Sequence, residues 1–243
     1  MTTAARQHAL IHSPELERGG YPEACPFNTT RAGRMLETVQ SMDLMSGDDR
    51  EIVAPQRLTR EELQRFHSPE YLDVLRQAGS GGVDPLAALK FGLGTPDCPI
   101  FKDMYDYVAL AAGATVTGAR LILDGTADVV FNPSGGFHHA QASSAAGFCF
   151  VNDIVLAALE FANAGKRVLF LDIDVHHCDG VQDAFYGRRD IMTVSLHESG
   201  KTLFPGTGFE TEIGSGLGEG YTVNVPLPVG TYDAAYEGAF KEA

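Results

Sequence analysis

An apolar stretch that turns abruptly into acids and imidazoles constrains this chain more than anything else in its 243 residues. It reads Phe170-Leu171-Asp172-Ile173-Asp174-Val175-His176-His177-Cys178-Asp179-Gly180. Taken as a strand over 168–175 running into a loop, it splits by parity. Leu171, Ile173 and Val175 fall on one face, and Asp172, Asp174 and His176 on the other, because strand side chains alternate with period two. Two carboxylates and an imidazole on one face are costly to bury without partners. A cation is the simplest partner. A carboxylate oxygen and an imidazole nitrogen two residues apart supply two of the three protein ligands of an open catalytic zinc site. A satisfied polar strand end is the other reading of Asp-x-His taken alone.

Around this stretch the chain alternates. Strand patterns fall at 9–12, 52–54, 128–131, 191–196 and 221–225, and helical spacing at 31–42, 101–123 and 150–164, the last closed by Gly165. Thr59 and Glu62 form a capping box. Ser68-Pro69 opens a further helix with Tyr71, Leu72 and Leu75 on its apolar side. The Gly- and Pro-rich residues 79–99 read as one long surface loop. The pattern predicts an α/β domain over 1–243, a doubly wound, mostly parallel sheet with helices on both faces, without repeat or linker. Chemistry in such sheets collects beyond the carboxyl ends of strands. The loops after Phe131, Val175 and Leu196 are therefore the places to search.

A formal charge of −14 argues against nucleic acid, whose phosphates call for a basic surface. The four cysteines form neither a CxxC pair nor a dense framework, which fits a reducing compartment. No signal-peptide core opens the chain and no apolar run approaches 18 residues, so the expectation is a cytoplasmic protein with no membrane partner.

Four of the eight histidines form two tandem pairs, His138-His139 and His176-His177, each after a strand pattern. Ser134-Gly135-Gly136-Phe137-His138-His139-Ala140, Gly147-Phe148-Cys149-Phe150-Val151-Asn152-Asp153 and Asp172 to Gly180 together resemble the zinc-dependent histone deacetylase superfamily. His197-Glu198-Ser199-Gly200-Lys201 and Leu203-Phe204-Pro205-Gly206-Thr207-Gly208 resemble its bacterial acetoin utilisation branch. The resemblance implies the arginase/deacetylase fold. It implies one Zn2+ (Fe2+ is an alternative) on Asp174 and His176, with His138 and His139 handling the protons of the attacking water and the leaving amine. Asp172 would stand behind His138 and Asp179 behind His139, fixing tautomer and basicity. Gly147, Phe148 and Phe204 would wall a slot for an acyl-lysine stem, unless the two rings are ordinary core. Asp97 would hold substrate amides at the rim, or be a solvated loop acid. Arg31 would be a buried arginine beside an acetate exit cavity, or pair with a structural acid. K+ or Na+ would sit near Asp172, Asp174, His176, Ser195 and Leu196, and a second such ion near Phe185, Arg188, Ile191 and Tyr221. Cys178, where many relatives carry Gly, implies no need for positive φ, and reads as a packed thiol before a redox-sensitive one.

Residues 231–243 have helical spacing and stop without a closing residue. Against the family pattern this predicts a fragment lacking its C-terminal third, with the third metal ligand and an oxyanion tyrosine missing and activity impaired. The function expected is removal of acetyl groups from acetyl-lysine or similar small amides. Acetylpolyamine hydrolysis, a non-catalytic metal-binding or interaction protein, and a binuclear manganese ureohydrolase are the competing readings.

Overall fold

The computed structural model describes residues 6–23 and 25–243. Contacts gather into two compact units, residues 1–160 and 161–243. In place of the one sheet expected, the described strands form two three-stranded parallel sheets, one in each unit.

The first unit runs β1 (His8–Ile11), α1 (Arg31–Ser41), β2 (Arg50–Val53), α2 (Arg60–Leu63), α3 (Pro69–Gly79), α4 (Pro85–Lys90), α5 (Met104–Leu123), β3 (Val129–Phe131) and most of α6 (Asp153–Asn163). Strand order is β2-β1-β3, with Leu10 opposite Ile52 and Phe131. Thr59 caps α2 in both directions: its amide donates to Glu62 and its hydroxyl accepts from the Glu62 amide. Ser68 caps α3 with Pro69 in its first turn, and Tyr71, Leu72 and Leu75 are fully buried.

The loop expected over 79–99 contains a helix. Asp84 accepts from the Ala87 amide and Pro85 follows it, so α4 carries its own start signal inside a Gly- and Pro-rich stretch. Helix α5 is long and apolar enough to cross a membrane by length and composition, but most of it is buried. It lies on β1 and β3 as a core helix. Its small residues permit this: a side chain on Gly118 would meet Val130 at 2.7 Å. Ile11, Leu16, Leu110, Ala111 and Ala114 build a core cluster with Phe137, Ala140 and Cys149.

The second unit contains β4 (Val168–Asp172), α7 (Asp179–Phe185), β5 (Ile191–Glu198), β6 (Thr222–Leu227) and α8 (Asp233–Glu242), with the sheet ordered β4-β5-β6. Strand β5 is the central one and α7 packs on it. Leu169, Leu171, Ile173 and Val175 are all exposed, Leu169 by 66%. Among the described residues, this apolar face thus lacks the helical cover that the sequence pattern predicts. Helix α8 forms where its spacing predicts, yet buries none of its residues.

Candidate active site

The tandem histidines are gripped from both sides by one dipeptide. Asn152 and Asp153, both fully buried, stand at the start of α6. Asp153 accepts from the amides of Gly136 (3.0 Å) and Phe137 (2.8 Å) and from the Thr115 hydroxyl. Asn152 donates its side-chain amide to the carbonyls of Ala140 (3.0 Å) and His138 (3.4 Å), while its oxygen caps the Val155 amide. Phe137 and Ala140 sink into the core cluster, so His138 and His139 have anchored neighbours on each flank. Both imidazoles are buried, with ring centroids 4.1 Å apart. Asn152 and Asp153 belong to a motif quoted above but had no role there. An Asn-Asp pair before an apolar helical run is a helix-start signal that could have found them.

Gly147 belongs to the same cluster. Its φ is +51°, and a Cβ there would fall inside contact distance of the His139 Cδ2 atom. A glycine is needed on both counts. Phe148 follows at φ +67°, an uncommon conformation for a non-glycine residue. Its carbonyl accepts from the Tyr21 hydroxyl (3.0 Å), and its ring stacks on Phe27 with centroids 6.2 Å apart. Gly147→Ala is expected to displace the His139 ring and cost about 1–3 kcal/mol, the usual cost of overpacking. Histidine side-chain NMR shifts and thermal unfolding of the variant check this; an unmoved His139 signal contradicts it.

His67 supports the same loop from beneath. Its Nε2 accepts from the Asn152 amide (3.1 Å), which requires that nitrogen to be unprotonated. Burial pushes its pKa from 6.5 down to about 4, against smaller opposing pulls from the Ala142 and Gln141 backbone. A depressed histidine contributes stability above the unfolded pKa and loses it as pH falls from about 6.5 toward 4. The expected loss between pH 7.5 and 5 is about 2 kcal/mol from this group. Urea titrations at the two pH values check it, and His67→Gln should remove that share of the slope.

In the second unit the strand expected over 168–175 stops at Asp172. The Asp174 amide donates to Asp172 Oδ1 and the His176 amide to Asp174 Oδ1, both at 2.8 Å. Short acidic side chains here outcompete the sheet ladder for the backbone. Two successive aspartate turns result, and they bring the Asp174 Oδ1 and His176 Nδ1 atoms to 2.9 Å. Asp172 is buried; Asp174 and His176 are accessible. An oxygen and a nitrogen this close, open to solvent, fit neighbouring ligands of one zinc ion, whose bonds to such atoms run about 2.0–2.2 Å. Among the described residues no group of three or more His, Cys, Asp or Glu is placed to hold a metal.

Phe204 lies beside this pair, its ring 6.2 Å from that of His176 and edge-on to it. Asp179 opens α7. Ser195 pairs with Asp172 across the sheet, and Leu196 is fully buried. Of the second cation set, the Arg188 amide donates to the Phe185 carbonyl and the Arg188 guanidinium to Asp190. Cys178 has φ −81° and is buried, which raises its thiol pKa well above the ordinary value. That matches a packed thiol.

Asp97 and Arg31 complete the expected set. Asp97 is exposed. Arg31 is exposed too, correcting the expectation of a buried arginine: it opens α1 with its guanidinium 4.7 Å over the Phe27 ring. Stacking on an aromatic face partners the cation without burial.

A sequence profile described as the histone deacetylase domain matches residues 25–243. The chain belongs to the histone deacetylase family. It is 40% identical to Histone deacetylase 8 of Xenopus tropicalis over 96% of this chain and 63% of that one. Acetoin utilization protein AcuC of Bacillus subtilis is 36% identical over 98% and 61%, respectively. The crystal structure of an HDAC homolog from Aquifex aeolicus superimposes with a TM-score of 0.81 at 34% identity, covering 92% of this chain and 60% of that one. The chain therefore has the deacetylase fold and spans less than two thirds of the length of these relatives.

Proposed function

We propose that this protein is a zinc-dependent amidohydrolase that removes acetyl groups from acetyl-lysine side chains or similar small amides. The carrying observation is the accessible, hydrogen-bonded pair Asp174 Oδ1 and His176 Nδ1 at 2.9 Å, in a chain of the histone deacetylase family. Asp174 and His176 would hold the metal; bound there, zinc polarises an acetyl carbonyl and acidifies water at the site. His138 and His139 take the proton of the attacking water and return one to the departing amine, work that suits imidazole near neutral pH. Asp172 and Asp179 orient those imidazoles. Phe148 and Phe204 flank the substrate's four-methylene stem, which needs apolar contact and little else. Asp97 receives the substrate's amides at the rim, and K+ or Na+ sits near Asp172, Asp174, His176, Ser195 and Leu196.

The formal charge of −14 favours one further substrate, a cationic acetylated polyamine, through electrostatic attraction. Initial rates on an acetyl-lysine peptide and on an acetylated polyamine, with zinc present and after chelation, test the proposal. Chelator-sensitive release of acetate from the peptide is the expected result. Preference for the polyamine changes the substrate, and release indifferent to chelation overturns the reading.

A further inference from the structure

The second unit contains two buried imidazoles that the proposed reaction does not use, and their surroundings fix the proton on each. Gln182 Oε1 accepts from the Asn224 side-chain amide (2.7 Å) and lies 3.1 Å from His177 Nε2. An amide oxygen only accepts, so His177 Nε2 carries the proton. His177 Nδ1 is then an acceptor for the Thr207 hydroxyl at 2.9 Å. His197 repeats the logic. Its Nε2 lies 2.8 Å from the Gly208 carbonyl oxygen and must donate, leaving Nδ1 to accept from the Ser195 hydroxyl at 2.8 Å. Both imidazoles are neutral and fully engaged, and burial lowers the pKa of each.

These bonds converge on one loop. Thr207 and Gly208 end the segment that carries Phe204. Gly208 sits at φ +82°, and a Cβ there would lie 2.5 Å from His177 Cγ and from His197 Nε2. The loop backbone thus lies directly on the two rings, whose centroids are 4.7 Å apart with planes tilted by 49°. Glu212 closes the far side, accepting from the Gly208 and Phe209 amides and from Gln182 Nε2.

We propose that His177 and His197 are positioning residues: together they pin the 203–208 loop, and with it Phe204, against the end of β4. Phe204 then stands beside His176 because the loop is held there from below. The consequence for substrate rests on the deacetylase reading; the tether itself does not. It makes the apolar wall of the slot rigid, so loosening it should weaken binding of the acyl-lysine stem more than it slows the chemistry.

Hydrogen exchange of the full chain, followed by mass spectrometry, tests this. His197→Ala and Thr207→Val should each speed exchange at 203–209 by about tenfold, the worth of one hydrogen bond, with the amides of β5 and β6 unchanged. Thr207→Val removes one hydroxyl from the loop and leaves both rings in place, so it reports even if His197→Ala fails to fold. His197→Gln, whose amide can still donate to Gly208, should restore slow exchange. With an acetyl-lysine peptide the loosened variants should raise KM several-fold and keep kcat. Unchanged loop exchange in Thr207→Val overturns the tether. A loop that responds in a chain that hydrolyses no acetylated amide supports the tether and overturns the deacetylase reading instead.

Discussion

Asp153→Ala is expected to destabilise the protein by about 3–5 kcal/mol, a large part of the 5–15 kcal/mol typical of a whole domain. Asp153 is completely buried, and its carboxylate receives two backbone amides and one hydroxyl. Truncation leaves the buried Phe137 amide without its acceptor, at about 1–3 kcal/mol, and also removes the acceptor of the more exposed Gly136 amide. It also opens a void beside Gly135, whose Cα faces the lost oxygen. Burial raises the pKa of this carboxyl, outweighing the donors that lower it. A raised acid gains stability as pH falls, so the deficit should be no smaller at pH 5 than at pH 7.5. Asp153→Asn keeps one accepting oxygen and should recover part of the loss. Urea unfolding of the three proteins checks this, and a deficit below about 1 kcal/mol in the alanine variant would show that the loop is held by packing alone.

His138→Ala and His139→Ala should each lower kcat on an acetyl-lysine peptide by about 10²–10⁴, the usual contribution of positioned general acid–base groups, with KM changed only a few-fold. Both rings are buried and next to each other, and the loop between Phe137 and Ala140 is anchored independently of them. Removing either ring should therefore leave the loop backbone in place. Steady-state kinetics with matched circular dichroism checks this. A fall in kcat under tenfold would assign the dyad to structure.

Most elements of the fold were legible because their signals were local. The Thr59–Glu62 box, the Ser68-Pro69 start and the apolar spacing of α5 each depend on neighbours in sequence. Helix α4 was missed because glycines and prolines on both sides masked the Asp84-Pro85 start. The division into two sheets was illegible for a different reason: strand pairing is non-local, and an alternating βα pattern does not say which edges meet. At the site, the residue types of 172–176 pointed to a cation, but through a strand face that does not exist beyond Asp172. The aspartate turns achieve the same convergence by another geometry. Arg31 shows the limit of carrying a role across a family, since an exposed stacked cation and a buried one share a sequence position. The Asn152-Asp153 helix start was readable, but its grip on the histidine loop and the His177–His197 network depend on non-local contacts that no spacing rule announces.

The account stands most directly on who holds the metal. Zinc affinity of the purified chain, read by competition with a chromogenic chelator, should fit one ion per chain. It should fall by at least about tenfold in both Asp174→Ala and His176→Ala, the loss of one ligand bond. Equal affinity in the wild-type chain and both variants, or two manganese ions bound in preference to one zinc, would contradict it.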